Sequence, residues 1–445
     1  MRKTRNPQST IFDIFPSHAF GLEYQAISKL LDQHPRFLTW VAQDLSDANC
    51  KPTGRQGLSA ETLLRACIVM KQHRMTYQDL AIQVSDSATF RAFCRIGHQD
   101  PSKSTLQDGI SRIRAQTWEN INRGLLASAL ENRVEAGRMV RVDATPVESP
   151  IHPPSDSSLL ADGIRVMVRL LKTAHHHFPT VSFCDRTRAT KKRAASIYYQ
   201  SKRVNRKALY KDLLNYATET HVYLNLARAT VPNTEPAWEK WHEEASRIMD
   251  LVERVLSQTK RRVLEGIKVP TEEKVVSLFE DHSDIIVKGQ RDITYGHKVT
   301  LAAGKSGMIL DLVIEDGNPA DSKCATTMIQ RQIEIYTRRP QQCAFDGGYA
   351  SKPNLKAIKN LGVKAVMFHK KRGLKVEDMT KSAWVYRKLH RFRAGVESII
   401  SCMKRSYGWT RSTWKTLDRF KAYVWSSAVA FNLAHLGRKL VEAQL

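Results

Sequence analysis

The chain has 445 residues and carries 70 Lys and Arg against 44 Asp and Glu, a formal charge of +26. An apolar fraction of 42% argues against a disordered chain, and the lack of any long apolar run argues against a membrane-spanning helix. A basic surplus of this size points to a polyanion as partner, with a merely solvated basic surface as the bland alternative.

Seven cysteines, an odd number with no C-x-x-C pair, fit a reducing compartment and argue against a structural zinc site. The basic start, Met1 to Pro7, leads into no apolar stretch, so no signal peptide is expected. The expected location is the bacterial cytoplasm, in association with the nucleoid.

In chain order, Ile11–Phe15 and a helical stretch near Tyr24–Leu31 form a lead-in. Gly54-Arg55-Gln56-Gly57 reads as a turn, and Ser59 caps a helix whose apolar face is Leu63, Leu64, Cys67 and Ile68. Thr76 and Ser87 open two more helices. Pro101–Gln107 turns into a last one, predicted to run on through Arg112, Arg114 and Trp118. Short helices with tight turns suit either a helix-turn-helix-like DNA reader or a packing and dimerisation bundle. Residues 1–136 are therefore assigned to a helical N-terminal DNA-binding or dimerisation domain.

Arg138–Val147 alternates as a strand does, with Val140 and Val142 on one side and Arg141 and Asp143 on the other. An aspartate among β-branched neighbours costs strand propensity, which singles out Asp143. Residues 137–156 form this first strand and a turn-rich link, with Ser155 or Asp156 as the next helix cap. Residues 157–283 read as a long helical insertion. From Arg186 to Lys211 it holds ten Lys and Arg and no acid, including Lys191, Lys192, Arg193, Lys202 and Arg203, with Tyr198 and Tyr199 interleaved. Like charges this dense repel unless a polyanion is near, so phosphate-backbone contact is the favoured reading. His175, His176 and His177 are adjacent and cannot share one helical face; surface or phosphate contact is read there, not a metal site.

Residues 284–445 turn to strands and then helices. Ile285–Val287, Ile293–Leu301 and Met308–Ile314 are strands, the last two joined by the hairpin turn Gly304–Gly307. Gln342–Tyr349 is a short buried strand that ends in Asp346 and two glycines. A helix from Lys352 and a strand over Val363–Phe368 follow. Residues 371–390 read as a charged connector, His390–Lys404 as a helix, and Phe420, Val424, Ala428 and Phe431 mark a final one. A hairpin followed by βαβ-type alternation predicts a mixed α/β sheet flanked by helices.

On the His390–Lys404 helix, Arg393, Glu397 and Lys404 fall on one stripe at about 100° per residue, beside an apolar stripe of Val396, Ile399, Ile400 and Met403. A salt-bridge ladder would explain the charged stripe by itself. Asp143 and Asp346 change the weighing. Asp346 ends a strand, where open α/β sheets place their sites. Three carboxylates brought together repel unless divalent cations neutralise them, and hard oxygen ligands suit Mg²⁺ or Mn²⁺. A pair of such ions serves in-line phosphoryl transfer. Asp346 as a plain strand end, Asp143 as a buried hydrogen-bonded acid, and Glu148, Asp156 or Asp162 in the first acid's place are the competing readings.

The Arg393, Glu397 and Lys404 spacing resembles the Y-x2-R-x3-E-x6-K signature of insertion-sequence DDE transposases, with His390 where the Tyr would stand. Val142–Glu148 resembles that family's first-Asp region and Phe345–Tyr349 its second-Asp region. Gly317–Asp321 resembles a non-catalytic family element, and residues 54–115 its helical N-terminal domain. The resemblance implies an RNase H-like catalytic core in which Asp143, Asp346 and Glu397 hold two metal ions. It further implies cleavage at the ends of an insertion sequence, strand transfer of the freed 3′-OH into target DNA, and Arg393 and Lys404 gripping DNA near the scissile phosphate. Two DNA ends must meet, so a homodimer is expected. A nuclease of the same fold that only hydrolyses, and a non-catalytic or domesticated DNA-binding protein, are the alternatives.

Overall fold

The computed structural model describes residues 4–5, 18–46, 57–97, 100–199, 206–288 and 292–442. Ile11–Phe15, Cys50, Gly54–Gln56, Lys202 and Arg203 lie outside the described residues. The chain divides into two units, residues 1–150 with 296–445, and residues 151–295.

The first unit begins with α1 (Ala19–Gln33), α2 (Pro35–Leu45), α3 (Ala60–Gln72), α4 (Tyr77–Asp86), α5 (Ala88–Cys94), α6 (Lys103–Ile110) and α7 (Ala115–Glu131). Ser59, Thr76, Ser87 and Ser102 each accept a hydrogen bond from a backbone N–H of the first turn they cap, which fixes where α3, α4, α5 and α6 start. The helix expected to run through Arg112, Arg114 and Trp118 is instead two. The first stops at Ile110, and the backbone N–H of Arg114 donates to Asp44 Oδ2 at 2.8 Å before α7 begins. Asp44 is remote in sequence, so no local pattern carries that break.

β1 (Met139–Glu148) follows. The second unit then contains α8 (Asp156–His177), α9 (Thr187–Tyr199), α10 (Arg206–Thr230), α11 (Pro236–Thr259) and β2 (Asp284–Lys288). Its helices share a core of their own, including Leu160, Ile164, Leu213, Leu224, Ile248 and Val252. The chain returns through β3 (Asp292–Ala303), β4 (Ile309–Ile314), α12 (Asp321–Tyr336), β5 (Gln342–Phe345), α13 (Lys352–Asn360), β6 (Ala365–Phe368), α14 (Val376–Met379), α15 (Ala383–Ser406) and α16 (Leu417–Glu442). The stretch expected to be a charged connector thus already contains α14 and the start of α15, whose N-cap is Ser382.

The sheet is mixed, in the order β2-β3-β1-β5-β6, with β4 also pairing β3. β1 runs antiparallel to β3 and parallel to β5, and β5 runs parallel to β6. The last pair of the β1–β3 ladder sets Glu148 opposite Gly296. A Cβ at Gly296 would overlap the carbonyl oxygen of Val147, so this crossing admits glycine and little else. Residues 151–295 are inserted between the two partners of this ladder.

The helices before β1 do not form a separate body, as the boundary at residue 136 had suggested. They share a core with β1, β3, β4, α15 and α16 that includes Leu64, Trp118, Leu301, Met403 and Val424. α16 explains this. From Ala422 to Ala434 it carries no charged residue, and all of those residues are buried. A helix that is apolar on every side belongs in a core, not at a surface. Its one amide, Asn432, accepts from Ile309 N at 2.9 Å and donates to Ile309 O and Asn122 Oδ1, both at 2.7 Å, so the first residue of β4 is satisfied from inside the core.

Candidate active site

The parallel ladder positions two of the acids. Val142 stands opposite Phe345, so Asp143 and Asp346 are the next residues along two adjacent strands. Strands so paired lie about 4.8 Å apart. Asp143 still lies within β1, and its Oδ1 accepts from Ala144 N at 2.8 Å. Asp346 follows the end of β5 and opens a tight turn over Gly347–Tyr349.

α15 packs on the sheet with Leu389, Arg393, Val396, Ile399 and Met403 buried. Arg393 is therefore part of the buried face and not of its edge. Its guanidinium meets all three acids: Nη2 lies 3.0 Å from Asp143 Oδ2 and 3.0 Å from Asp346 Oδ1, and Nη1 lies 2.7 Å from Glu397 Oε1. The side chain of Arg393 is 10% exposed, those of Asp143, Asp346 and Glu397 16%, 37% and 63%. The acids thus rise from the sheet toward solvent around a buried cation. The four groups carry a formal −2 between them, and the donor set is all carboxylate oxygen, which suits a hard divalent cation. Among the described residues, no three His, Cys, Asp or Glu side chains stand close enough to hold a metal ion in this arrangement; the guanidinium lies between them instead.

The other residues singled out in the sequence lie as follows. Lys404 is in the last turn of α15, seven residues beyond Glu397, about 10 Å further along the helix axis. His390 stacks on His369, with ring centroids 4.6 Å apart, and burial, then His369 and Arg393, push its pKa below the ordinary value. Lys191 and Lys192 are exposed on α9. Arg193 Nε bonds Asp212 Oδ2 at 2.7 Å, and Arg186 pairs with Glu219. α10 thus supplies acids to a block whose own sequence has none. Lys202 and Arg203 lie outside the described residues. Of the competitors for the first acid, Asp156 is buried and pairs with Arg262, and Asp162 pairs with Arg165; Glu148 ends β1.

Three neighbours escaped the sequence reading. Arg141, two residues before Asp143, is buried; its Nη1 donates to Phe392 O at 3.0 Å and its guanidinium lies over the Phe392 ring. A Cβ at Gly395 would overlap that guanidinium, so the glycine inside α15 lets Arg141 pass. Asp321, in the element that resembled a family feature, ion-pairs with Lys298 and abuts Gly348 in the turn after Asp346. Burial, then Asp321 and Asp143, push the Tyr349 phenol far up, so it is neutral beside the two acids. A glycine in mid-helix was the available signal for Arg141. Asp321 stands in the sequence only as the end of an element read as non-catalytic; its place beside Gly348 is set by the tertiary fold.

Two family models match the chain. One, described as a transposase domain (DUF772), matches residues 13–112; the other, described as a transposase DDE domain, matches residues 281–433. Between them they cover more than half of the chain, and the second includes Asp346, Arg393 and Glu397. No curated protein and no solved structure matches it. No helix among the described residues is long and apolar enough to cross a membrane.

Proposed function

The chain belongs to the insertion-sequence DDE transposases, and from that premise we propose that it cuts DNA at the ends of its element and joins the freed 3′-OH to target DNA. The observation that carries this reading is the convergence of Asp143, Asp346 and Glu397, from two strands and a helix, on the single guanidinium of Arg393. A mixed sheet with two acids at neighbouring strand positions supports an RNase H-like core.

Asp143, Asp346 and Glu397 are the residues that would hold Mg²⁺ or Mn²⁺. Bound there, two such ions would stabilise the attacking and leaving oxygens of an in-line phosphoryl transfer. The chain's own part is positional. Asp143 and Asp346 are fixed by the ladder, and Glu397 reaches in from α15. Arg393 is a fork-shaped donor suited to bidentate phosphate contact once DNA competes for it. Lys404 extends the same stripe along the DNA. Lys191, Lys192 and Arg193, with Lys202 and Arg203, are assigned to the DNA backbone. Two ends must be held together, so the working form is a homodimer.

The test is cleavage and joining of a labelled duplex carrying the element's own end, with Mg²⁺, by wild type and Glu397→Gln. The reading expects wild type to cut and join, and the variant to bind equally well and do neither. Cutting without joining by wild type would reduce the protein to a nuclease. A variant that cuts as well as wild type would leave Glu397 as one rung of a salt-bridge ladder and overturn the site.

A further inference from the structure

A second basic site lies in the first unit, in a cleft of about 910 Å³ between the end of α3, the turn into α4 and the segment 407–414. At its inner wall is Lys71, only 4% exposed. Its ammonium sits 3.1 Å from the ring centroid of Tyr423 and 4.4 Å from that of Trp414. Among the described residues, no oxygen accepts a hydrogen bond from it. Buried charges are ordinarily paired, and two aromatic faces compensate only part of the lost hydration.

The groups around Lys71 do not supply the missing anion. On α3 stands Cys67, in the turn after it Arg74, on α4 Tyr77, on α16 Arg419 and Tyr423, and on the segment before α16 Arg411. Burial pushes the Cys67 thiol and the Tyr423 phenol each up to about 12, and Tyr77 higher still, so all three are neutral at pH 7. Exposed Arg74, Lys103 and Arg411 stand at the rim, and among the described residues the lining includes no Asp or Glu. Arg74 is held in place by donating to Arg405 O at 2.7 Å.

We infer that this cleft is a phosphate subsite for DNA, in which Lys71 takes one backbone phosphate and Arg74, Lys103 and Arg411 take those beside it. That the polyanion is DNA rests on the transposase reading; the need for an anion rests on the cleft itself. A phosphate at the ammonium would supply the absent oxygen acceptors, and the aromatic walls would keep the contact dry, where charge-assisted hydrogen bonds are strong. Burial also pushes the free amine down to about 7, so binding above neutral pH draws in a proton.

The experiment is fluorescence anisotropy of the full chain with a labelled duplex of the element's end, across salt and pH, for wild type, Lys71→Met and Lys103→Glu. Inorganic phosphate is added in a separate arm. For wild type, affinity should fall by up to about tenfold per pH unit above 7. Lys71→Met should weaken binding about tenfold, flatten that pH slope and lower the salt slope by about one phosphate contact. Lys103→Glu, an exposed change that leaves folding alone, should weaken binding by a similar factor and keeps the test decisive should Lys71→Met not fold. Inorganic phosphate should compete weakly; competition as strong as DNA's would identify a free-anion site and overturn the subsite. Wild type that binds DNA while both variants bind equally well also overturns the subsite and leaves the transposase reading intact. Wild type that does not bind DNA overturns both.

Discussion

Replacing Arg393 by Met removes the cation from among three carboxylates while keeping a side chain that fills the buried stem. Breaking a buried ion pair by deleting one partner costs about 3–5 kcal/mol. Here the partners are unequally buried. Glu397, 63% exposed, contributes under about 1 kcal/mol. Asp346, 37% exposed, is discounted in the same way, and Asp143, 16% exposed, carries most of the penalty. The expected loss is about 2–3 kcal/mol in the absence of divalent ions. Millimolar Mn²⁺ should restore much of it, because the freed carboxylates then take a different cation. The assay is urea denaturation of wild type and Arg393→Met, followed by tryptophan fluorescence, with EDTA or with Mn²⁺. Equal stability of the two proteins in EDTA would refute the view that the guanidinium neutralises the acids. A variant destabilised equally with and without Mn²⁺ would show that Arg393 matters by packing.

Three further outcomes follow from the geometry. Gly296→Ala should cost about 3 kcal/mol and be visible as a lower denaturation midpoint, since the new Cβ meets the Val147 carbonyl and backbone cannot yield as a side chain can; an unchanged midpoint would contradict the close crossing. Asn432→Leu leaves both backbone groups of Ile309 without their buried partner and should destabilise by about 3 kcal/mol, with hydrogen exchange rising first at β4. The Lys71 amine has its folded pKa lowered from 10.5 to about 7, so the unfolded chain holds more protons between those values. Stability of the DNA-free protein should therefore rise with pH across that window, by up to about 1.4 kcal/mol per unit, and Lys71→Met should remove that slope.

Local chemistry made much of this protein legible from its residues. Ser59, Thr76, Ser87 and Ser155 are small hydroxyl residues ahead of apolar periodicity, and each caps the helix expected of it. The alternation around Val140 and Val142 marked a strand that carries Asp143 within it, and the glycines after Asp346 marked one that ends at an acid. The spacing of Arg393, Glu397 and Lys404 set those residues on one helical line. All of these are relations within about a dozen residues, where backbone geometry alone sets the distances. What lay beyond that reach needed the tertiary structure. The β1–β5 register brings Asp143 beside Asp346 across 203 residues of chain. The docking of α15 turns Arg393 inward to all three acids, while the same stripe carries Lys404 away from them. α10 pairs two arginines of a block that looked uncompensated. α16, read from one apolar stripe, is buried on every side from Ala422 to Ala434 and draws the N-terminal helices into the core of the sheet. Periodicity tells which face of an element is apolar; only the packed partners decide how many faces are covered and which charges meet.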